Sequence, residues 1–302
     1  MAEPEDIRRD VEELWSFHQR RLRADIPAEH LRDRIAFSQA PPFRLVACAD
    51  CGLVYRNPTE REHEVVESYV GDVPPADRLR ELHAAQFPSY REQAARLAAL
   101  LPQGATVLEV GSYVGAFLAA ARDAGLRAVG VDVNPTINQF TRSLGFQVHD
   151  GELADAPPDS VDAVVIWNAF DQMVDPRGTL TAARSRLKPD GHLALRVPNG
   201  SFYRRWSRRR AGRWLLAHNN LLGFPYRWGF NPRAMTSLCE TLGFRVSRTV
   251  GDVLVPTSDR WTRAWAKGEE RAAKAALRLA WRGRVDAAPW FETYAAAAEW
   301  VA

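Results

Sequence analysis

Residues 105–115 read Ala-Thr-Val-Leu-Glu-Val-Gly-Ser-Tyr-Val-Gly, and after an alanine-rich segment residues 127–134 read Arg-Ala-Val-Gly-Val-Asp-Val-Asn. The run from Thr106 to Val110 has the length and β-branched content of a buried parallel strand. Gly111 and Gly115 bracket a turn into a predicted helix over 116–123, and a second strand ends in an acid. The order of strand, glycine turn, helix, strand and acid predicts a doubly wound α/β unit.

The turn and the acid together predict a site for a nucleotide-shaped ligand. Glycine lets the backbone approach a ligand closely, the amides at a helix start offer hydrogen-bond donors, and Asp132 can accept both hydroxyls of a ribose. Dinucleotide enzymes carry G-x-G-x-x-G, whereas this chain carries Glu109-x-Gly111-x-x-x-Gly115. The spacing therefore disfavours a dinucleotide.

Two later segments make the pattern more specific. Residues 161–168, Val-Asp-Ala-Val-Val-Ile-Trp-Asn, are typical of a fourth strand, and residues 187–199, Leu-Lys-Pro-Asp-Gly-His-Leu-Ala-Leu-Arg-Val-Pro-Asn, of the turn into a fifth. All three segments in this order and spacing make a dinucleotide enzyme improbable.

These segments resemble the class I S-adenosylmethionine-dependent methyltransferases, of the small-molecule type that carries an N-terminal cysteine knuckle. The family's first motif, an acid followed by Gly-x-Gly-x-Gly, matches Glu109, Gly111 and Gly115, with Tyr113 in place of the middle glycine. The resemblance implies a Rossmann-like, doubly wound sheet of seven strands with helical N-terminal and C-terminal additions, and S-adenosylmethionine as cofactor. The residues that it implies for cofactor binding are Glu109, Gly111, Ser112, Tyr113, Gly115, Asp132, Val133, Glu152, Leu153 and Asn168.

The role of the acid that meets the adenine amino group falls, by the same resemblance, on Glu152 or Asp150. A solvated loop carboxylate is the alternative for either. Many relatives have a Glu-His pair where this chain has Asp171-Gln172. Since glutamine cannot take a proton, a base role assigned to that histidine does not transfer.

We expect three parts in the chain: a helical lead-in with a degenerate zinc-knuckle hairpin over 1–101, a cofactor-binding core over 102–257 that includes an acceptor loop at 200–230, and a helical extension over 258–302. No internal repeat or low-complexity segment interrupts them.

Composition bounds the function of this 302-residue chain. It is 46% hydrophobic and carries a formal net charge of +3, so no global field marks it as a nucleic-acid binder. The charge is concentrated locally in six arginines within 204–213, which indicate a solvated helix face or a surface for a phosphate-bearing acceptor, nucleic acid or anionic lipid. Three cysteines, an acidic start and no run of roughly 20 apolar residues predict a cytoplasmic protein without a membrane span.

Cys48 and Cys51 form a C-x-x-C between two β-prone arms and have the shape of a zinc knuckle. Zinc needs four ligands, and only three histidines or the distant Cys239 could supply the others, namely His18, His30 and His63. We therefore expect a hairpin that holds no metal.

The acceptor side is predicted at residues 214–230, which are rich in aromatics and follow the fifth strand after one helical insertion. His218 and Tyr226 are the side chains there whose proton chemistry suits a base or a positioning hydrogen bond. The alternative is that the aromatics only cover the edge of the sheet and that His218 is a packing histidine.

The sequence predicts methyl transfer to an oxygen, nitrogen or activated carbon of a small-molecule acceptor, which could bear a phosphate or a sugar. Two alternatives stay open: an RNA methyltransferase that uses the arginine cluster, and a non-catalytic cofactor-binding homologue. The sequence leaves the oligomeric state open.

Overall fold

The computed structural model describes residues 1–31, 43–59, 61, 64, 67, 69–70, 73–156, 160–255, 260–281 and 283–298. The chain divides into two compact units. Unit 1 comprises Met1–Thr59, Val197–Met235 and Val250–Phe291, and unit 2 comprises Glu60–Arg196, Thr236–Thr249 and Glu292–Ala302.

Helices and strands are numbered in chain order. The α-helices are α1 Pro4–Gln19, α2 Ala76–Ala98, α3 Ala116–Asp123, α4 Pro135–Ser143, α5 Pro176–Arg186, α6 Gly200–Trp206, α7 Arg210–His218, α8 Pro232–Thr241 and α9 Ala264–Ala280. The strands are β1 Arg44–Ala47, β2 Val54–Asn57, β3 Thr106–Val110, β4 Arg127–Asp132, β5 Gln147–Asp150, β6 Val161–Trp167, β7 Leu187–Pro198, β8 Trp228–Gly229, β9 Phe244–Asp252 and β10 Trp290–Ala297.

A seven-stranded sheet with the order β5-β4-β3-β6-β7-β10-β9 is flanked by helices, as the resemblance implied. Strand β3 lies at its centre, parallel to β4 on one side and to β6 on the other. Strands β5 and β7 continue the parallel pairing outward. Because the carboxyl ends of these strands meet at one edge, the turns after β3, β4, β5 and β6 are brought together.

The centre of the sheet is buried on both faces, which is why its strands read as continuous apolar runs. Val164, Val165 and Ile166 of β6 are completely buried. Helix α3 is as apolar as the strands, with Ala116 through Ala121 all buried. Small alanines let this helix approach β4 closely.

Unit 1 contains a small sheet and its own apolar core. Strands β1 and β2 form an antiparallel hairpin, and β8 adds a third strand through the pairs Val54 with Gly229 and Tyr55 with Trp228. Buried side chains from α1, α6, α7 and α9 join the same cluster, including Leu14, Phe202, Leu216 and Leu277.

The C-terminal extension differs from the expected helical segment in one respect. It begins as α9 but ends in β10, which lies between β7 and β9 in the seven-stranded sheet. Trp290 through Ala295 are all buried, so the strand shows no alternation of polar and apolar residues. Periodicity alone therefore does not separate it from a short buried helix, and the strand was not predicted from the sequence.

In the described part of the chain, no helix combines the length and the apolar character needed to cross a bilayer.

Candidate active site

The turn after β3 is built from three residues in the left-handed backbone region. Gly111, Tyr113 and Gly115 have φ values of 76°, 44° and 69°. A Cβ on Gly111 would lie 2.9 Å from the Cβ of Ala169, and a Cβ on Gly115 would lie 2.6 Å from Cγ2 of Thr141. Glycine is therefore required at both ends of the turn, whereas Tyr113 occupies a conformation that side-chain-bearing residues rarely adopt.

Asp132 lies at the end of β4, where its carboxylate is hydrogen-bonded to the turn that follows β3. Its Oδ2 accepts a hydrogen bond of 2.9 Å from the amide of Tyr113, and its Oδ1 accepts one of 3.0 Å from the amide of Asn134. A carboxylate has about four lone-pair sites, so both oxygens retain capacity for ribose hydroxyls. Burial raises the pKa of Asp132, and the hydrogen bonds from these backbone amides oppose the shift.

The loop after β5 lies beside Asp132. The Gly151 amide donates to the Asp132 carbonyl oxygen at 3.1 Å, and the Asn138 amide group bridges that carbonyl and Oδ1 of Asp150, at 2.7 Å each. The hydrogen bond from Asn138 and the ion pair with Arg142 lower the pKa of Asp150. Leu153 is buried and Glu152 is exposed. The Gly151 hydrogen bond thus joins the loop that carries Glu152 and Leu153 to the end of β4, and Val133, which follows Asp132, is partly buried.

Two buried polar atoms point to a ligand at this edge. Oε2 of Glu109 and Oγ of Ser112 have no hydrogen-bond partner among the described residues. Ser112 is seated over Gly130, where a Cβ would come within 2.4 Å of the serine Oγ. Burial raises the pKa of Glu109 well above its ordinary value, the Asp132 carboxylate adds to the shift, and Arg196 opposes it. An uncompensated buried carboxyl group of this kind suits a polar or cationic ligand.

Asn168 follows β6 and is part of a partly buried polar network. Its Oδ1 accepts from Nε of Arg196 at 2.9 Å, and its Nδ2 donates to Oη of Tyr90 at 3.3 Å. The Arg196 guanidinium lies 5.2 Å from the centre of the Tyr90 ring. The left-handed φ of 58° at Asn168 directs the chain out of the strand at this point.

Tyr90, Arg196, Asn134 and Asn138 were not among the site residues predicted from the sequence. A signal for Arg196 was present, because it is a single charge within the apolar run of β7. Its side chain is only 1% exposed. A buried cation in a strand needs partners, and the Asn168 side chain is one of them.

Tyr69 crosses the carboxyl end of β3. Its carbonyl oxygen accepts from Nδ2 of Asn134 at 2.7 Å, and its hydroxyl donates to Oε1 of Gln172 at 2.5 Å. Asn134 follows β4 and Gln172 follows β6, and these strands flank β3 on its two sides. Gln172, which stands where relatives carry a histidine, therefore has a defined contact: it holds Tyr69.

The structure places His218 in the core of unit 1. Its ring lies 4.9 Å from the Phe17 ring and 4.4 Å from the Trp214 ring, both edge-on, and its Nε2 lies 3.7 Å from Oε1 of Glu269. Burial lowers the pKa of His218 to about 4, and the neighbouring Arg21 acts in the same direction. The imidazole is therefore neutral at pH 7, and these contacts are those of a packing histidine.

The predicted acceptor segment is part helix and part loop. Helix α7 continues to His218, and the chain then runs to β8. Phe224 is 3% exposed and packs edge-on against Tyr203 at 5.2 Å in unit 1, so it belongs to the core of that unit and is not a free apolar wall. Tyr226 and Trp228 are partly buried.

Cys48 and Cys51 lie in the turn of the β1–β2 hairpin, both partly exposed. Hydrogen bonds from the backbone amides of Cys51 and Asp50 lower the pKa of Cys48. In the described ranges no group of three or more His, Cys, Asp or Glu side chains could hold a metal. His63 and the side chain of His30 lie outside what is described. The prediction of a metal-free hairpin stays a prediction.

A cavity of about 480 Å³ in unit 2 lies away from this edge. Leu118, Arg122 and Phe146 are among its lining residues, and none of the predicted cofactor residues lines it. Its walls come mainly from α3, β3, β4, β5 and adjoining loop residues, and it is therefore distinct from the site at the carboxyl edge of the sheet.

Residues 82–249 match the family model described as a methyltransferase domain, which is more than half of the chain. The chain belongs to this methyltransferase family. The class I resemblance is thereby confirmed, and S-adenosylmethionine is the cofactor. No curated protein matches the sequence.

Solved structures with a similar fold share little sequence with this methyltransferase. A chain in the complex of the Haloferax volcanii Trm112 methyltransferase activator with a methyltransferase is 20% identical, with 72% of this chain and 93% of that chain covered and a TM-score of 0.49. An S-adenosylmethionine-dependent methyltransferase from Mesorhizobium loti is 18% identical, with 70% and 97% covered and a TM-score of 0.49. One from Thermotoga maritima is 17% identical, with 73% and 93% covered and a TM-score of 0.47.

The residues of the site fit the cofactor. Left-handed glycines at 111 and 115 leave room for close approach, Asp132 retains acceptor capacity for a ribose, and Glu109 and Ser112 present unpartnered polar atoms. A zwitterionic ligand with a ribose and a cationic sulfur would meet each of these groups with complementary chemistry.

Proposed function

We propose that this methyltransferase transfers a methyl group to an oxygen, nitrogen or activated carbon of a small-molecule acceptor. The proposal is supported by the hydrogen bonds of Tyr69 with Asn134 and Gln172, which follow the two strands that flank β3. A site bordered by Tyr69 in this way suits an acceptor small enough to enter beside that residue. A folded macromolecule would need an open edge.

We assign cofactor binding to the residues predicted from sequence. The carboxylate of Asp132 would hold the ribose, and the turn from Gly111 to Gly115 would face the amino-acid end. We assign the adenine contact to Glu152, which is exposed in the loop after β5 and also caps the short helix that follows, with Leu153 beside the base. Asn168 is assigned to the boundary between cofactor and acceptor, since its side chain is fixed by Tyr90 and Arg196.

When bound, S-adenosylmethionine supplies a methyl group on a positively charged sulfur that is a good leaving group. The chain's own task is then to align the acceptor, to exclude water and, for a hydroxyl acceptor, to remove a proton. The buried network of Tyr90, Asn168 and Arg196 is suited to alignment, because each of its side chains is held by another.

The decisive residue test is Asp132→Ala. Loss of the charge-assisted hydrogen bonds to the ribose is expected to weaken binding of S-adenosylmethionine and of its demethylated product by about 2 to 4 kcal/mol. Calorimetry measures this directly. Asp132→Asn, which keeps the size of the side chain, and the exposed Asp123→Ala serve as the matched variant and the control. Unchanged affinity in both Asp132 variants would contradict the assignment.

Turnover is tested by the release of demethylated cofactor with panels of small hydroxyl and amine acceptors and, separately, with RNA. Turnover with a small acceptor supports the proposal. Turnover only with RNA would replace it, and cofactor binding without turnover on any acceptor would favour a non-catalytic homologue.

A catalytic role of His218 and Tyr226 remains our proposal for the acceptor side. It rests on their position after the fifth strand of the parallel series, on the phenol of Tyr226 and on the neutral imidazole of His218, which can accept a proton. If they act on the acceptor, His218→Ala and Tyr226→Phe should leave cofactor affinity unchanged and lower turnover by a factor on the order of 100. If both variants turn over at the wild-type rate, His218 is a packing residue, in keeping with its contacts with Phe17 and Trp214.

A further inference from the structure

Helix α9 in unit 1 turns large apolar side chains toward solvent. Trp265 is 53% exposed and Leu279 is 64% exposed. They lie fourteen positions apart, which is close to a whole number of helical turns, so both lie on the same side of the helix. The opposite side of α9 is buried through Ala266, Ala273 and Leu277.

The acids of α9 are engaged by partners within unit 1. Glu269 pairs with Arg21 and accepts a hydrogen bond from the indole of Trp214 at 3.2 Å, and Glu270 pairs with the buried Lys274 at 2.7 Å. On the exposed side the charged residues are basic. Arg278 is exposed, and its hydrogen bond goes to an uncharged carbonyl oxygen. The outward side of the helix is therefore apolar and positive.

The same surface continues onto α7. Trp214 is 42% exposed and is held in place by its hydrogen bond to Glu269. It lines a depression of about 360 Å³ together with Arg20 and Arg210. Neither of these arginines forms an ion pair with any residue that the structure describes. The nearby acids Asp10 and Glu13 are both paired with Arg213.

We propose that this basic apolar face, defined by Arg20, Arg210, Trp214, Trp265 and Leu279, docks the protein on the surface of an anionic lipid bilayer. Tryptophan and leucine can enter the boundary between headgroups and acyl chains, and unpaired arginines are attracted to anionic headgroups. The inference goes beyond the proposed function, since it concerns where the enzyme works and not what it methylates.

The charges and the apolar side chains favour a bilayer over other occupants. A second copy of the same face would bring Arg20, Arg210 and Arg278 against like charges. A single-stranded nucleic acid would satisfy the arginines and could stack on tryptophan, but it would leave Leu279 exposed. An anionic bilayer satisfies the positive charge and also covers the apolar side chains.

The test is sedimentation of the full chain with vesicles made of equal parts phosphatidylglycerol and phosphatidylcholine, and with vesicles of phosphatidylcholine alone. We expect binding to the first, weakened by added salt, and little binding to the second. The double variant Arg20→Glu, Arg210→Glu should lower the partition constant by at least about 30-fold, and Leu279→Ser by roughly 10-fold.

Two substitutions in unit 2 serve as matched controls, because Leu100 is 44% exposed and Arg245 is also exposed. Leu100→Ser and Arg245→Glu should leave vesicle binding unchanged. Thermal unfolding and cofactor affinity of all variants report whether they fold. The proposal would be overturned by equal binding to both vesicle types, by equal losses in the controls or by no vesicle binding at all. It would also be overturned if the protein self-associates and Leu279→Ser abolishes that self-association, or if an RNA oligonucleotide binds in place of vesicles.

Discussion

Glu109 is a buried carboxyl group whose pKa is raised by burial and by the nearby Asp132. The folded protein therefore keeps a proton on Glu109 at pH values where the unfolded chain has released it. Stability falls with rising pH wherever the folded state binds more protons than the unfolded state. This group thus lowers the free energy of unfolding as pH rises above its ordinary pKa of 4.5.

Glu109→Gln removes that titration. We expect the free energy of unfolding of the variant to fall less than that of the wild type between about pH 5 and about pH 8, in the absence of cofactor. Urea unfolding at several pH values measures it. The exposed Glu240→Gln is the control and should keep the wild-type pH profile. If the free energy of unfolding changes with pH in the same way in wild type and Glu109→Gln, ionisation of Glu109 in the folded protein costs no free energy.

Glycine is favoured at position 115 for two reasons, a left-handed backbone and a close neighbour that leaves no room for a Cβ. Gly104 has the left-handed backbone but no close neighbour. Gly115 has a φ of 69° and lies against Thr141, which is buried and donates to the Tyr113 carbonyl oxygen. Gly104 has a φ of 74° with open space around it. Alanine at Gly104 should cost about 1 to 2 kcal/mol of stability from the left-handed backbone alone.

Gly115→Ala should cost roughly 1 to 3 kcal/mol more than Gly104→Ala, because the added methyl group overlaps Thr141. Denaturant unfolding of the two variants gives the difference. Equal losses would mean that Thr141 yields without breaking its hydrogen bond, and that the turn is less tightly packed than its distances indicate.

The β1–β2 hairpin has the outline of a zinc knuckle but offers two thiols. Two ligands leave a tetrahedral site half empty, so we expect no stoichiometric zinc in the purified protein. Elemental analysis measures the metal content. Near one zinc per chain, lost together with stability in Cys48→Ala, would show that other side chains complete the site.

Sequence patterns predicted the elements that local chemistry alone determines, such as a strand buried on both faces or a tight turn. Strand β3, the glycine turn and Asp132 follow from local chemistry, because a tight turn needs glycine and a buried parallel strand needs an apolar run. Strand β10 and the contact of Tyr69 with Gln172 did not follow. Each depends on a partner that is not adjacent in the chain: β10 inserts between β7 and β9, and the Tyr69–Gln172 hydrogen bond joins residues 103 positions apart.

The predicted roles of His218 and Tyr226 can be tested at the scale of the whole molecule, by asking which of the two units becomes more stable when the cofactor binds. The assigned cofactor residues, from Glu109 to Asn168, all belong to unit 2, and residues 214–230 belong to unit 1. A ligand that binds only the folded state stabilises it by about 2.7 kcal/mol at a concentration of 100 times Kd. Amide hydrogen exchange can locate that stabilisation.

We expect the demethylated cofactor to slow exchange at residues 109–115, at the end of β4 and in the loop after β5. Asp132→Ala should strongly reduce the effect at matched ligand concentration, which controls for non-specific binding. The response of residues 214–230 then decides the acceptor proposal, because a segment that borders bound cofactor loses local opening motions when the ligand binds. Protection of this segment in the wild type would place His218 and Tyr226 beside the reacting groups. Protection confined to unit 2 would remove both residues from the site, and would assign acceptor positioning to the network of Tyr90, Asn168 and Arg196.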